Sequence, residues 1–265
     1  GILNALDANK TLQIAALKIA SERSMDVTAT RVFSLMNSED KDLQTAAFNA
    51  LPNVVNQFHF KQLSQLIENT DSKNIVLLQN ALKNALASLS KEQQFNTVIS
   101  YLNKSQKPYL YYPNLAQAGT NKAIEALYKG YNGTYKKAAI EALLQIDNSK
   151  IIDFLFNIAV NDKNYTSKAL NRYTDLVAKS DFNTVHKYQL YRKALELTTD
   201  TDIQNRLILL LGETYNYQAF ILVSKYMSQE ATMETAANAV RNIISKNSEH
   251  LGGAHVREIL ENAIN

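Results

Sequence analysis

The sequence predicts an all-α superhelix, a solenoid of about eight two-helix units in one row over residues 1–265, and three observations predict it. A nine-residue pattern with apolar residues at positions 1, 4, 5 and 8 recurs along the chain, and at about 100° per residue those positions share one helix face. Turn-forming residues are scarce, with 7 Gly and 3 Pro, which disfavours the many tight turns of an all-β fold. The apolar share of 46% supplies a core, yet no run approaches the roughly 18 apolar residues of a membrane span.

The recurring helix starts at Leu12, Leu43, Leu78, Lys107, Tyr135, Tyr165, Ile203 and Met233, with Lys107 the poorest copy. Successive starts lie 28 to 38 residues apart, room for two helices and two turns. The copies from Leu43 to Leu51 and from Leu78 to Leu86 agree at six of nine residues. Paired alanines such as Ala15-Ala16, Ala46-Ala47, Ala138-Ala139 and Ala236-Ala237 let a neighbouring helix come close. Asp40-Lys41-Asp42, Asn132-Gly133-Thr134 and Asp200-Thr201-Asp202 precede their copies and read as N-caps, whose side-chain oxygens accept from the first free N–H groups.

Between copies lies a second helix with bulkier apolar residues: Val32 to Met36, Leu63 to Ile67, Val98 to Leu102, Ile151 to Ile158, Asn183 to Leu197, Ala219 to Tyr226 and, at the end, Ala254 to Ala263. Ordering about 30 residues costs on the order of 45 kcal/mol, more than one helical hairpin recovers by burial, so the units must stack. The opening Gly1-Ile2-Leu3-Asn4-Ala5 lacks Met, a basic head and an apolar signal run, and the chain is expected to be a piece of a longer protein.

The paired helices, the Asp/Asn turn and the Ala-Ala with terminal Leu resemble HEAT repeats over nearly the whole chain, in degenerate form. The Pro early in the first helix is absent, and Arg172, Arg206 and Arg241 recur only late. A narrower stretch, with Ala169-Leu170-Asn171-Arg172-Tyr173, Tyr191-Arg192-Lys193-Ala194-Leu195-Glu196-Leu197, Leu210-Leu211-Gly212-Glu213 and Ala236-Ala237-Asn238-Ala239-Val240, is similar to bacterial extracytoplasmic HEAT-repeat proteins. Many of those carry a 3-keto-disaccharide hydrolase-type domain. That resemblance implies a periplasmic or cell-envelope location and a carbohydrate-linked context, with the chemistry in the adjoining domain.

Positions 3 and 7 of the recurring helix point away from the core stripe, and they include Thr45, Asn49, Asn80, Asn84, Tyr109, Lys137, Glu141, Ser167, Asn171, Asn205 and Thr235. Such amides donate and accept, so the row suits an extended peptide or a glycan; it also reads as a plain solvated face. The segment Lys107-Pro108-Tyr109-Leu110-Tyr111-Tyr112-Pro113 breaks the repeat, and Pro113 should make that helix start late or kink. Its tyrosines, Tyr109 and Tyr112 among them, either form a partner platform or pack an irregular helix, and exposure separates the two.

No chemistry-bearing motif is found. With no Cys, thiolate-zinc, disulfide and Cys-nucleophile chemistry are excluded. Nucleophile elbow, phosphate-cradling loop, dinucleotide fingerprint and EF-hand loop are missing. His250 and His255, five apart, lack the four-residue spacing of a zinc helix, and His59 and His186 stand alone. The chain is therefore expected to be no enzyme, with no metal or cofactor. It reads as a monomeric scaffold or protein-interaction module for a protein partner or an adjoining catalytic domain. The alternative is an accessory region of a carbohydrate-processing enzyme. Nucleic-acid binding is disfavoured: net charge is only +3, and Lys83, Lys104, Lys107, Lys129, Lys136 and Lys137 are interspersed with Glu125 and Glu141.

Overall fold

The computed structural model describes residues 1–70, 72–247 and 252–264, the side chains of 72, 255 and 262–264 excepted. Among the described residues there are seventeen α-helices and no strand. The chain forms two compact units, Gly1–Ile146 and Asp147–Asn265.

The first unit holds α1 (Ile2–Leu6), α2 (Lys10–Glu22), α3 (Ala29–Leu35), α4 (Lys41–Val54), α5 (Phe60–Asn69), α6 (Ile75–Ala85), α7 (Lys91–Leu102), α8 (Tyr112–Ala118), α9 (Asn121–Tyr131) and α10 (Lys136–Leu143). The second holds α11 (Ile152–Asn161), α12 (Thr166–Lys179), α13 (Thr184–Leu197), α14 (Thr201–Gly212), α15 (Tyr217–Ser224), α16 (Met233–Asn247) and α17 (Ala254–Ile264). The eight pattern copies are the even-numbered helices α2 to α16. In the first unit α2 packs on α4, α4 on α6, α6 on α8 and α8 on α10, while each also packs on the odd helix before it. In the second, α12 packs on α14 and α14 on α16, again with α11, α13 and α15 as partners. This sequential packing is consistent with a helical repeat array.

The apolar pattern does what its spacing requires. Leu43, Ala47, Ala50 and Leu51 of α4, and Leu78, Ala81, Leu82 and Ala85 of α6, are all buried. Two caps repeat between the units almost atom for atom. Asp40 accepts from the backbone N–H of Asp42 and Leu43, and Asp200 from Asp202 and Ile203. The caps are themselves oriented, because Ser38 Oγ accepts from Asp40 N and Thr198 Oγ1 from Asp200 N. The third expected cap is corrected: Asn132 ends α9, its Nδ2 donating to Tyr128 O, and the N-cap of α10 is Tyr135, which makes no side-chain cap bond.

A second recurrence lies in the glutamines at pattern position 2. Gln13 Nε2 donates to Leu6 O, Gln44 to Met36 O and Gln204 to Thr198 O, at 3.0, 3.0 and 3.1 Å. Each accepting carbonyl closes the preceding odd helix, where last-turn carbonyls lack helical partners. Amides near the far end of even helices do the same for the previous even helix: Asn84 Nδ2 reaches Pro52 O, Gln117 Nε2 reaches Lys83 O and Asn242 Nδ2 reaches Gly212 O. Polar side chains thus fix the register that apolar burial, being non-directional, leaves loose.

Candidate functional site

The expected surface row sits on the even helices. Asn49, Asn80, Asn84 and Lys137 are exposed in the first unit and Asn171 in the second, while Tyr109 and Asn205 are half-buried. Asn84 also serves as the stacking amide just described, and Asn205 Nδ2 donates to Ala231 O at 3.1 Å.

The tyrosine platform is reduced by the structure. Tyr111 and Tyr112 are only 1% and 5% exposed, leaving Tyr109 alone of the three at the surface. Tyr112 lies across α9, where a Cβ on Gly130 would come within 2.5 Å of its hydroxyl oxygen; a larger residue there would close its seat. Tyr111 donates from its hydroxyl to Glu68 Oε1 at 3.0 Å, and burial together with that carboxylate pushes its pKa well up. Lys107 Nζ donates to Glu68 O at 2.8 Å, and Leu110 O accepts from Gln79. The irregular segment is pinned on both sides.

Its irregularity opens a groove. Residues 108–111 form a 3-10 turn and α8 starts only at Tyr112, as the two prolines require. Between α6 and α10 this leaves a cavity of about 610 Å³, within the size range of ligand sites. Ile75, Pro113, Ala138 and Ala142 give it apolar walls, and the rings of Tyr109 and Tyr135 sit tilted with centroids 4.8 Å apart. Gln79, Thr134, Lys137, Glu141 and Gln145 supply its polar groups. At one end Lys83 Nζ donates to Gln145 Oε1 at 3.0 Å. No carboxylate bonds this ammonium among the described residues, and burial draws its pKa down. Lys137 has no hydrogen bond or ion pair among them either.

Lys107 is spent on Glu68, and Lys136 lies over the Tyr131 ring at 4.7 Å. A smaller cavity of about 350 Å³ in the second unit lies between α13 and α15, and there Arg192 already pairs with Glu196 at 3.2 Å. His59 Nδ1 accepts from Asn56 N, and His186 stacks on Phe182 at 4.3 Å. His250 and the side chain of His255 lie outside the described residues. Among the described residues no group of three or more His, Cys, Asp or Glu is placed to hold a metal, and no helix is long and apolar enough to cross a membrane.

Sequence reasoning put Tyr109, Lys137 and Glu141 in a surface row that borders this groove, but did not bring Gln79, Pro113, Tyr135 and Gln145 into it. A signal was present: the Pro108/Pro113 pair marks where the array must gape, so the flanking helices were the place to look. Set beside known proteins, the chain matches no protein-family model and no curated protein.

Proposed function

We propose that the chain is a degenerate HEAT-type array acting as a non-catalytic protein-interaction module, binding a polypeptide through its even-helix face. One observation carries the reading: the most regular part of the first unit is interrupted by a pinned segment, and the interruption produces a groove with aromatic and apolar walls and a polar rim. Exposed amides continue from it along α6 and α4, where Asn80 and Asn49 make no side-chain hydrogen bond among the described residues and can both donate and accept. Extended chains need such groups because their backbone arrives with unpaired N–H and C=O.

The test is site-specific photo-crosslinking in cells that express the protein, with the reactive group at Asn80 or Lys137 and, as the outward control, at Glu125 on α9. Crosslinks from the first two positions to one defined polypeptide, absent from the third, are expected. Equal labelling from all three, or none from any, removes the reading.

The accessory role in carbohydrate processing is the second reading, favoured by the tyrosine pair beside Gln79 and Gln145, since rings stack on apolar sugar faces while amides bond hydroxyls. It requires that this chain raise the hydrolysis of a 3-keto-glycoside by a hydrolase-type domain joined to it and show no hydrolysis alone.

A further inference from the structure

We infer that the groove between α6 and α10 takes an extended acidic segment with two carboxylates about four residues apart and an apolar side chain between them, an inference that rests on the interaction-module reading. The argument begins with charge. Lys137 lines the groove and Lys83, half-buried, reaches its end by donating to the neutral Gln145 amide, and neither ammonium has a carboxylate within ion-pair distance among the described residues. A half-buried ammonium without a counter-charge carries a desolvation cost that a ligand carboxylate offsets.

Spacing comes next. Gln145, which holds the Lys83 ammonium, lies eight residues beyond Lys137 in the turn that closes α10, a span of roughly 12 Å at helical rise. Extended chain covers about 13 Å in four residues, so carboxylates at positions 1 and 5 meet the two cations. Between them the walls are Ile75, Pro113 and Ala138 with the Tyr109–Tyr135 pair, which accept a leucine or an aromatic side chain. Glu141, on the same wall midway between the cations, repels a third acid at the centre and so selects against a uniformly acidic run.

The experiment uses the C-amidated peptide Glu-Ala-Leu-Ala-Glu with fluorescein on its N-terminal amine, its Gln-for-Glu and Lys-for-Glu counterparts, and a version with Glu at the centre. Fluorescence anisotropy is read at low salt. The first peptide should bind about ten-fold tighter than the Gln version, and Lys83→Met or Lys137→Gln should each erase most of that difference. The central Glu should weaken binding. Lys137→Glu should shift preference toward the Lys peptide, which keeps the test independent of any loss through poor folding. Equal binding of Glu and Gln peptides, or a preference unchanged by both substitutions, overturns the inference. If no peptide binds while Asn80 still crosslinks a partner, the acidic-segment assignment falls and the interaction module stands; if crosslinking fails too, both fall.

Discussion

Gly212→Ala should destabilise the second unit, against the direction that helix propensity alone gives. Gly212 is the last residue of α14, and a Cβ built there lies 2.9 Å from Ala239 Cβ and 3.0 Å from Ala239 Cα on α16. Carbon atoms prefer about 3.5–4.0 Å, so the helices must part by about half an ångström or more. The obstacle is backbone and a methyl on a buried helix, so no rotamer relieves it. Overpacking of this kind costs about 1–3 kcal/mol, while replacing Gly by Ala in a helix returns about 1 at most, so with that gain realised in full the net loss is about 0–2 kcal/mol. Parting the helices also lengthens the bond from Asn242 Nδ2 to Gly212 O, already 3.4 Å. The assay is urea denaturation followed by circular dichroism at 222 nm, with Ala239→Gly and the double variant completing a cycle. A coupling of about 1 kcal/mol or more in favour of the pair is expected. Stabilisation by Gly212→Ala, or strict additivity in the cycle, would refute the reasoning.

Three further outcomes follow from the same contacts. Asp40→Ala and Asp200→Ala should each cost about 1 kcal/mol in urea denaturation, since each removes a helix N-cap, and Asp40→Asn should cost less because the amide oxygen still accepts. Asn114→Leu should raise stability by about 1–3 kcal/mol, because Asn114 is wholly buried and neither side-chain polar atom has a partner among the described residues. Burial pushes the Tyr191 hydroxyl up to about 12 and those of Tyr111 and Tyr173 higher still. These groups favour folding fully below the unfolded value near 10, and their contribution is lost as pH rises from there through the folded values. Absorbance at 295 nm should therefore show at least these three of the 14 tyrosines titrating late and with unfolding; simple titration of all of them near 10 would contradict their burial.

Helices were legible in this sequence to the extent that they follow from a periodic apolar face. The starts at Leu43, Ile203 and Met233 fall within two residues of the helix ends, because Asp40 and Asp200 announce themselves and Met233 begins its helix outright. Lys107 shows the limit of the same reasoning. The apolar pattern places a start there, yet Pro108 and Pro113 admit only a 3-10 turn before α8, so the late start is a backbone constraint that a hydrophobicity pattern does not register. Asn132 was misread because Asn serves both ends of helices, and only the bond to Tyr128 O tells which.

What stayed illegible depends on residues far apart in the chain. Tyr112 looks like a surface ring in its own helix; its burial requires a gap at Gly130, eighteen residues on, and an isolated glycine within a helical run was the sole hint. The glutamines at position 2 were visible as a recurrence, but their use is not contained in their own helix, since each closes the end of the helix before it. This bears on the groove as well. Gln79 is the one glutamine of that set whose amide reaches forward, to Leu110 O in the interrupted segment, instead of back to the preceding helix. The interruption therefore takes a stacking contact from its neighbour and fixes itself with it, which makes the groove a built part of the first unit and not a frayed gap. A site held in this way keeps its walls before a partner arrives, so binding there loses little to ordering the receptor, and the cost falls on the incoming segment.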